Sequence, residues 1–476
     1  MAQYETALTI DRFKGINQSL TLGDSLPLQY AVYAENADCS GGNLKPMRRG
    51  EVLFDDTLPA PIETLARLYR RSYAIEDKRN VLVAVAGGKL YTRANGEWSW
   101  TERFSGIQNN DFDYVSYETN LSLTSDTVDI LLLSNQDDGM LCLYGNDLSV
   151  KKISTPHKFG VIGRHAERIW GAGVKNYPDT LTYSAPFNPF DWEQNNEHPE
   201  DGAGDIRQPS WDGDKFIALR SFGSQLLAFK NNRVWRILGT HPGNYVFKEQ
   251  YGGGALIENT VVVVDTMVFM LSFGGIMAYD GVSVSPFKQE EIQDIWSRIN
   301  KSALHKACAT HFDEKLYFSV PLDDSECNNA VIIYDFVNRS FMLRTDTYIS
   351  SFLEFDWELL YASCGKQKGK VWRLNGGEAL PMVWRSGWQD LGAKNVVKSG
   401  FEVYLSIDAP ENMAMDIKIE TEKKPKTKTY TAKTHRVKRV RVANNGRRFM
   451  LELKTDTNLL WYLRAGLQVQ VELDAD

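Results

Sequence analysis

No apolar run in the 476 residues approaches the ~18 needed to cross a bilayer, and stretches such as Val261 to Val264 fall far short. Met1 to Asp11 has neither a basic start nor an apolar stretch, so no secretory leader is expected, and the chain should be made and kept in cytoplasm at least initially. Cysteine is sparse. The five residues Cys39, Cys142, Cys308, Cys327 and Cys364 are odd in number, widely spaced and without a C-x-x-C pair, which points to reduced buried thiols. The glycosylation-type triplets at Asn17, Asn120, Asn300 and Asn338 then carry no meaning.

Catalytic signatures are missing as well. There is no G-x-S-x-G elbow, no H-E-x-x-H and no G-x-G-x-x-G after a strand, and Gly252-Gly253-Gly254 lacks the Lys-Ser/Thr of a phosphate loop. Seven histidines are scattered, and His305 and His311, close in sequence, straddle the end of the expected helix. With 61 acidic residues a carboxylate pair for glycoside hydrolysis cannot be singled out. No catalytic residue, cofactor or metal is therefore expected. Helical patterning is scarce too. Gln289 to Leu304 alone carries it, with Ile292, Ile295, Trp296 and Ile299 on one face.

What the chain has instead is a repeat: an apolar run, a Gly/Asn/Asp turn, then an apolar residue before Tyr, Phe or Trp. Copies run from Val81 to Tyr91, Ile130 to Tyr144, Phe216 to Trp235, Val261 to Tyr279, Ala307 to Phe318 and Phe352 to Trp372. Each reads as a hairpin. Start-to-start intervals are about 50, 85, 45, 45 and 45 residues, near the ~40–50 of propeller blades once the 85 is split by a further strand pair, His165 to Trp192. The expected fold is all-β, a β-propeller of six to eight blades over residues 61–382. Residues 1–60 read as an extended N-terminal arm that packs along the propeller or a neighbouring subunit.

Residues 383–476 have another texture. Five strands alternate apolar and charged positions, at 401–407, 415–420, 436–442, 449–453 and 467–473, as the half-buried sheets of a C-terminal β-sandwich do. Charge is split between the two parts. Residues 423–448 hold eleven Lys/Arg and no acid, leaving 43 basic residues against 61 acidic ones elsewhere. Because only Tyr430 and Phe449 accompany the basic stretch, a subunit contact through Arg436, Lys438, Arg439 and Arg441 is expected rather than base stacking. The acidic counterpart is the segment 193–214, with Glu193, Glu197, Glu200, Asp201, Asp205 and Asp212.

Several stretches resemble tail proteins of tailed bacteriophages: Phe13-Lys-Gly-Ile-Asn17, Asp24 to Leu28, Ala34-Glu-Asn36, Gly42 to Gly50, Arg168-Ile-Trp-Gly-Ala-Gly173, Asp179 to Ser184, Pro189-Phe-Asp-Trp192, Ala330 to Asp335 and Trp384 to Gly392 with the strand at Lys398. Length and order are similar to those of the tail hub, or nozzle, of short-tailed phages. That resemblance implies a non-enzymatic virion tail part made in the host cytoplasm. It also implies a ring, a hexamer, around the DNA channel below the adaptor or portal-side proteins, with tail fibres or spikes as further partners, double-stranded DNA in transit and no membrane insertion. Such a part retains packaged DNA and lets it pass at ejection, and an acidic lining, with the 193–214 loop as constriction, would repel phosphate and let DNA slide. A carbohydrate-active or carbohydrate-binding propeller is the alternative, although Thr92 to Trp98 only approaches the sialidase turn, with Ala94 in place of Asp. An intracellular WD40 scaffold has only Trp211-Asp212 in its favour.

Overall fold

The computed structural model describes residues 3–19, 26–71, 73–120, 127–208, 213–252, 254, 256–365, 368–432, 437–463 and 466–474. Seven four-stranded antiparallel sheets follow one another along the chain. Each is a blade whose first strand is innermost, and these first strands are Ile62–Tyr69, Asp113–Asn120, Val161–His165, Phe216–Phe222, Val262–Val264, Cys308–Phe312 and Ser351–Phe355. The first strands of successive blades stand beside one another around the ring and blade 7 returns to blade 1, with the 3-10 turn Glu258–Thr260 making the contact between blades 4 and 5. This is a seven-bladed β-propeller, within the expected six to eight.

The hairpin turns explain why the strands reverse where they do. Gly87-Gly88 (φ 59° and 76°) and Asp313-Glu314 (φ 48° and 56°) place two successive residues in the left-handed region, the requirement of the type I′ turn that matches strand twist. Between the flanking turns the second and third strands are buried on both faces, as in Asn80–Ala86 and Gly139–Tyr144. Beyond Asn80 the residues of these runs are apolar or glycine because blade neighbours cover both sides.

Blade 7 takes its fourth strand from the other end of the chain. Val371–Arg373 is bordered by Glu51–Val52, with Trp372 opposite Val52 and Arg373 opposite Glu51, and Arg373 is ion-paired to Glu51 at 3.0 Å and Glu358 at 2.7 Å. The first and last parts of the ring are thereby sewn together.

The expected arm is extended, and it is built into both bodies rather than lying over them. Gln3–Ile10 pairs along its whole length with Leu467–Asp474, and Ala31–Glu35 pairs with Met382–Ser386. The C-terminal sandwich thus has two sheets. One runs Gln3–Ile10, Leu467–Asp474, Val397–Asp408, Val437–Gly446, with Tyr462–Leu463 on the end of the third strand. The other runs Ala31–Glu35, Met382–Ser386, Phe449–Thr455, Met413–Thr421, Pro425–Ala432. Sequence patterning missed the two N-terminal strands because they are short or separated from their partners by hundreds of residues.

The sandwich sits on the outer strand of blade 6. Ile16 N–H donates to the Phe341 carbonyl at 2.6 Å and Asn36 N–H to that of Leu343 at 2.8 Å. Phe13 packs edge-on against Trp384 at 5.3 Å, both fully buried. One core cluster runs without a break from blades 5 and 6 into the sandwich.

The expected helix is much shorter than its pattern. It consists of a 3-10 turn Gln289–Ile292 and a five-residue α-helix Gln293–Ser297, with a separate 3-10 turn at Leu304–Lys306. Ile292, Ile295, Trp296 and Ile299 are all buried, so the apolar face was read correctly. The helix stops because the Arg298 carbonyl accepts from Asp323 N–H (3.0 Å) and Asn300 N–H donates to the Pro321 carbonyl (3.0 Å), tertiary bonds that replace intrahelical ones.

Candidate functional site

Three places concentrate polar chemistry: the propeller axis, the acidic loop of blade 3 and the basic edge of the sandwich. Along the axis the inner strands enclose a cavity of about 390 Å³, lined among others by Glu63, Asp111, Asp113, Arg220 and Asn259. Gly163 sets the spacing there, since a Cβ at this position would stand 2.9 Å from that of Leu219 on the next inner strand. Asp113 accepts from Ile162 N–H at 3.0 Å and faces Arg220 at 3.7 Å, while Asp111 accepts from the Asn259 amide at 3.5 Å. Burial raises both carboxyls, opposed by the Asn259 bond at Asp111 and by Arg220 at Asp113. Glu258, 3.9 Å from Lys215, is pushed up to about 7, first by desolvation and then by Asp111 and Asp113, against the pull of Lys215. Nothing in the sequence pattern flagged Glu63 and Glu258 as neighbours of Asp111 and Asp113, because they come from other blades.

The acidic loop does not lie on that axis. It joins Thr180–Tyr183 to Gly204–Arg207, the third and outermost strands of blade 3, and so sits at the rim of the propeller. Glu193, Glu197, Glu200 and Asp201 are exposed there, Asp205 is exposed on the outermost strand, and Asp212 lies outside the described residues. The backbone of the loop is held from beneath. The guanidinium of Arg168, itself fully buried, donates to the carbonyls of Ser184 (2.6 Å), Gly202 (2.6 Å) and Glu200. Ala203 N–H donates to the Glu193 carbonyl at 2.9 Å, and Glu197 and His198 N–H both reach the Asn195 side chain at 3.0 Å. The loop is therefore a positioned display of carboxylates. The stretch around Arg168 carries part of the resemblance to phage tail proteins, which implies no role for that residue. The signal was a lone Arg in an otherwise apolar strand, Arg168–Ala172, buried at every position.

The basic stretch occupies the two edge strands Pro425–Ala432 and Val437–Gly446, one in each sheet. Arg439 and Arg441 stand opposite Tyr404 and Glu402 and share Glu402 at 3.7 and 3.6 Å, and Arg441 also reaches Glu472 at 3.6 Å. Lys438 is opposite Leu405 in the same ladder, and Arg436 lies outside the described residues. Between the edges is a groove of about 530 Å³. Lys424, Lys426 and Lys428 form no ion pair among the described residues.

Among the described residues no three His, Cys, Asp or Glu side chains are grouped to hold a metal. His305 and His311 are not brought together: the first faces the Ser302 carbonyl at 3.0 Å and the second meets Phe336 edge-on at 6.0 Å. Cys39, Cys142 and Cys308 are buried free thiols, raised by desolvation. No helix among the described residues is long and apolar enough to cross a membrane.

The fold defines the class: a seven-bladed β-propeller with a sandwich sewn to its rim. No protein-family model and no curated protein matches the sequence. Similar solved structures include the Pan2 WD40 domain of Neurospora crassa, at 10% identity and a TM-score of 0.41 over 70% of this chain and 98% of that one. Another is the extracellular domain of a putative hybrid two-component system of B. thetaiotaomicron, at 10% identity and a TM-score of 0.44 over 76% and 44%. These likenesses concern the fold alone.

Proposed function

We propose that the protein is a structural subunit of a bacteriophage tail, a hub or nozzle part that assembles as a ring, retains packaged DNA and lets it pass at ejection. The observation that carries this reading is the segregation of charge over a mechanically closed body. Gln3–Ile10 and Leu467–Asp474 are locked together in one sheet, the propeller ring is closed by Glu51–Val52, and eleven of the 54 basic residues gather in residues 423–448 of a molecule whose remainder is net acidic. An acidic wall repels phosphate and lets a duplex slide, whereas a basic one would hold it through counterion release. Adaptor-side tail proteins and fibres or spikes are the partners this reading implies, and the virion tail is its location.

Sedimentation of the purified full chain tests it. A closed ring of about six copies is expected, with filter binding at two salt concentrations showing no duplex retained at near-physiological salt. A monomer at every concentration would favour the carbohydrate-binding alternative. Tight duplex binding with a steep salt dependence would instead make the basic edge a DNA-binding surface.

A further inference from the structure

Two complementary surfaces stand at opposite poles of this molecule. Blade 6 carries the sandwich, and within the sandwich Ala31–Glu35 lies on the propeller side while Pro425–Ala432 is the far edge of the same sheet. Blade 3, with the acidic loop, is three blades from blade 6 in one direction round the ring and four in the other. The chain cannot bring its own loop to its own basic edge.

The far edge is more than a row of solvated lysines. Lys424, just before the edge strand Pro425–Ala432, and Lys426, within it, are exposed and, with Arg441, Asn444, Ser399 and Gly400, line the groove between the two sheets. Glu402 and Glu472 hold Arg441 from behind, and Asn444 is fixed by its amide donating to the carbonyls of Ile419 (2.9 Å) and Lys424 (3.0 Å). Lysine on an edge strand blunts edge-to-edge pairing. A groove walled by cations and amides offers in addition a receptor for carboxylates. The blade-3 loop supplies them on a backbone already clamped by Arg168, so little ordering entropy is lost on docking.

We propose that the groove lined by Lys424, Lys426 and Arg441 receives the carboxylates of the 193–205 loop from a second copy of this chain, giving a head-to-tail contact. The contact is heterologous, and such contacts generate rings when the rotation closes. It rests on the reading that the protein assembles with itself, and it assigns the loop to a subunit contact instead of a channel wall.

Charge swapping on the full chain tests it by sedimentation velocity, with circular dichroism to show that each variant is folded. The groove variant carries Lys424→Glu and Lys426→Glu, and the loop variant carries Glu197→Lys and Asp201→Lys. Each alone should lose association at least tenfold, and raising salt should weaken the wild type in the same way. Mixed one to one, the two should regain it, because the acidic groove of one meets the basic loop of the other and the native pairing survives in the reverse sense. Variants that assemble like wild type would overturn the contact and leave the tail reading standing. A wild type that stays monomeric at low salt would overturn both. Loss of binding to a 30-base-pair duplex in the groove variant, with association unchanged, would make nucleic acid the occupant and overturn the contact.

Discussion

Arg168 and Arg344 show how single buried cations organise this protein without acidic partners. The Arg344 guanidinium donates to the carbonyls of Arg48 (2.8 Å) and Leu374 (2.7 Å) and to Asn375 (2.9 Å), joining blade 6 to the segment that closes blade 7. Burial lowers its pKa to about 10, so it stays charged in any ordinary buffer. Arg168→Met should leave the blade intact but release the loop carbonyls, giving faster amide exchange and new protease cleavage confined to residues 185–203. Removing Arg344 orphans several buried carbonyls at once, and Arg344→Ala should cost about 3 kcal/mol in denaturant unfolding. Glu258 gives a pH signature. Its folded pKa is raised above the unfolded value, so the native state binds the extra proton and stability falls as pH rises from the ordinary glutamate range to about 7. The side chain is 43% exposed, so screening trims the effect to about 1 kcal/mol. Glu258→Gln should therefore flatten the pH profile of Tm between pH 5 and 8 and raise Tm at pH 8, and an unchanged profile would remove the desolvation argument.

At the scale of elements, the strand Glu51–Val52 matters out of proportion to its two residues, since without it blade 7 has three strands and the ring loses its seam. The same N-terminal stretch places Phe13, Ile16 and Ala31 in the core. Phe13→Ala should cost about 3 to 4 kcal/mol as a buried aromatic truncation. Removing residues 1–53 should leave a chain that is not cooperatively folded by calorimetry. A truncated chain that melts as sharply as the full one would show the N-terminal strands to be accessory. The short α-helix carries the opposite lesson: its apolar spacing was legible, but its length was decided by Asp323 and Pro321, which compete for its last hydrogen-bonding groups.

For the molecule as a whole, the core that runs from blades 5 and 6 into the sandwich makes propeller and sandwich one cooperative body. A single calorimetric transition is expected, with calorimetric and van't Hoff enthalpies in agreement. Two separated transitions would mean that the interface around Phe13, Trp384 and Phe341 is weaker than its burial implies.

Whatever depends on neighbours along the chain is legible in the residue pattern. The period-two runs, the glycine and aspartate turns and the repeat near 45 residues specify hairpins, and hairpins at that period specify a propeller. The five alternating strands at the end specify a sandwich. Patterning could not say that Glu51–Val52 completes the last blade, that Gln3–Ile10 borders Leu467–Asp474, or that Asp111, Asp113 and Glu258 meet on the axis. Nor could it put the acidic loop at the rim of blade 3 and the basic edge at the far side of the sandwich. Those are pairings across up to 471 residues of chain, Gln3 with Asp474, and they are fixed by which edges remain unpaired and which apolar faces remain uncovered once the local hairpins have formed.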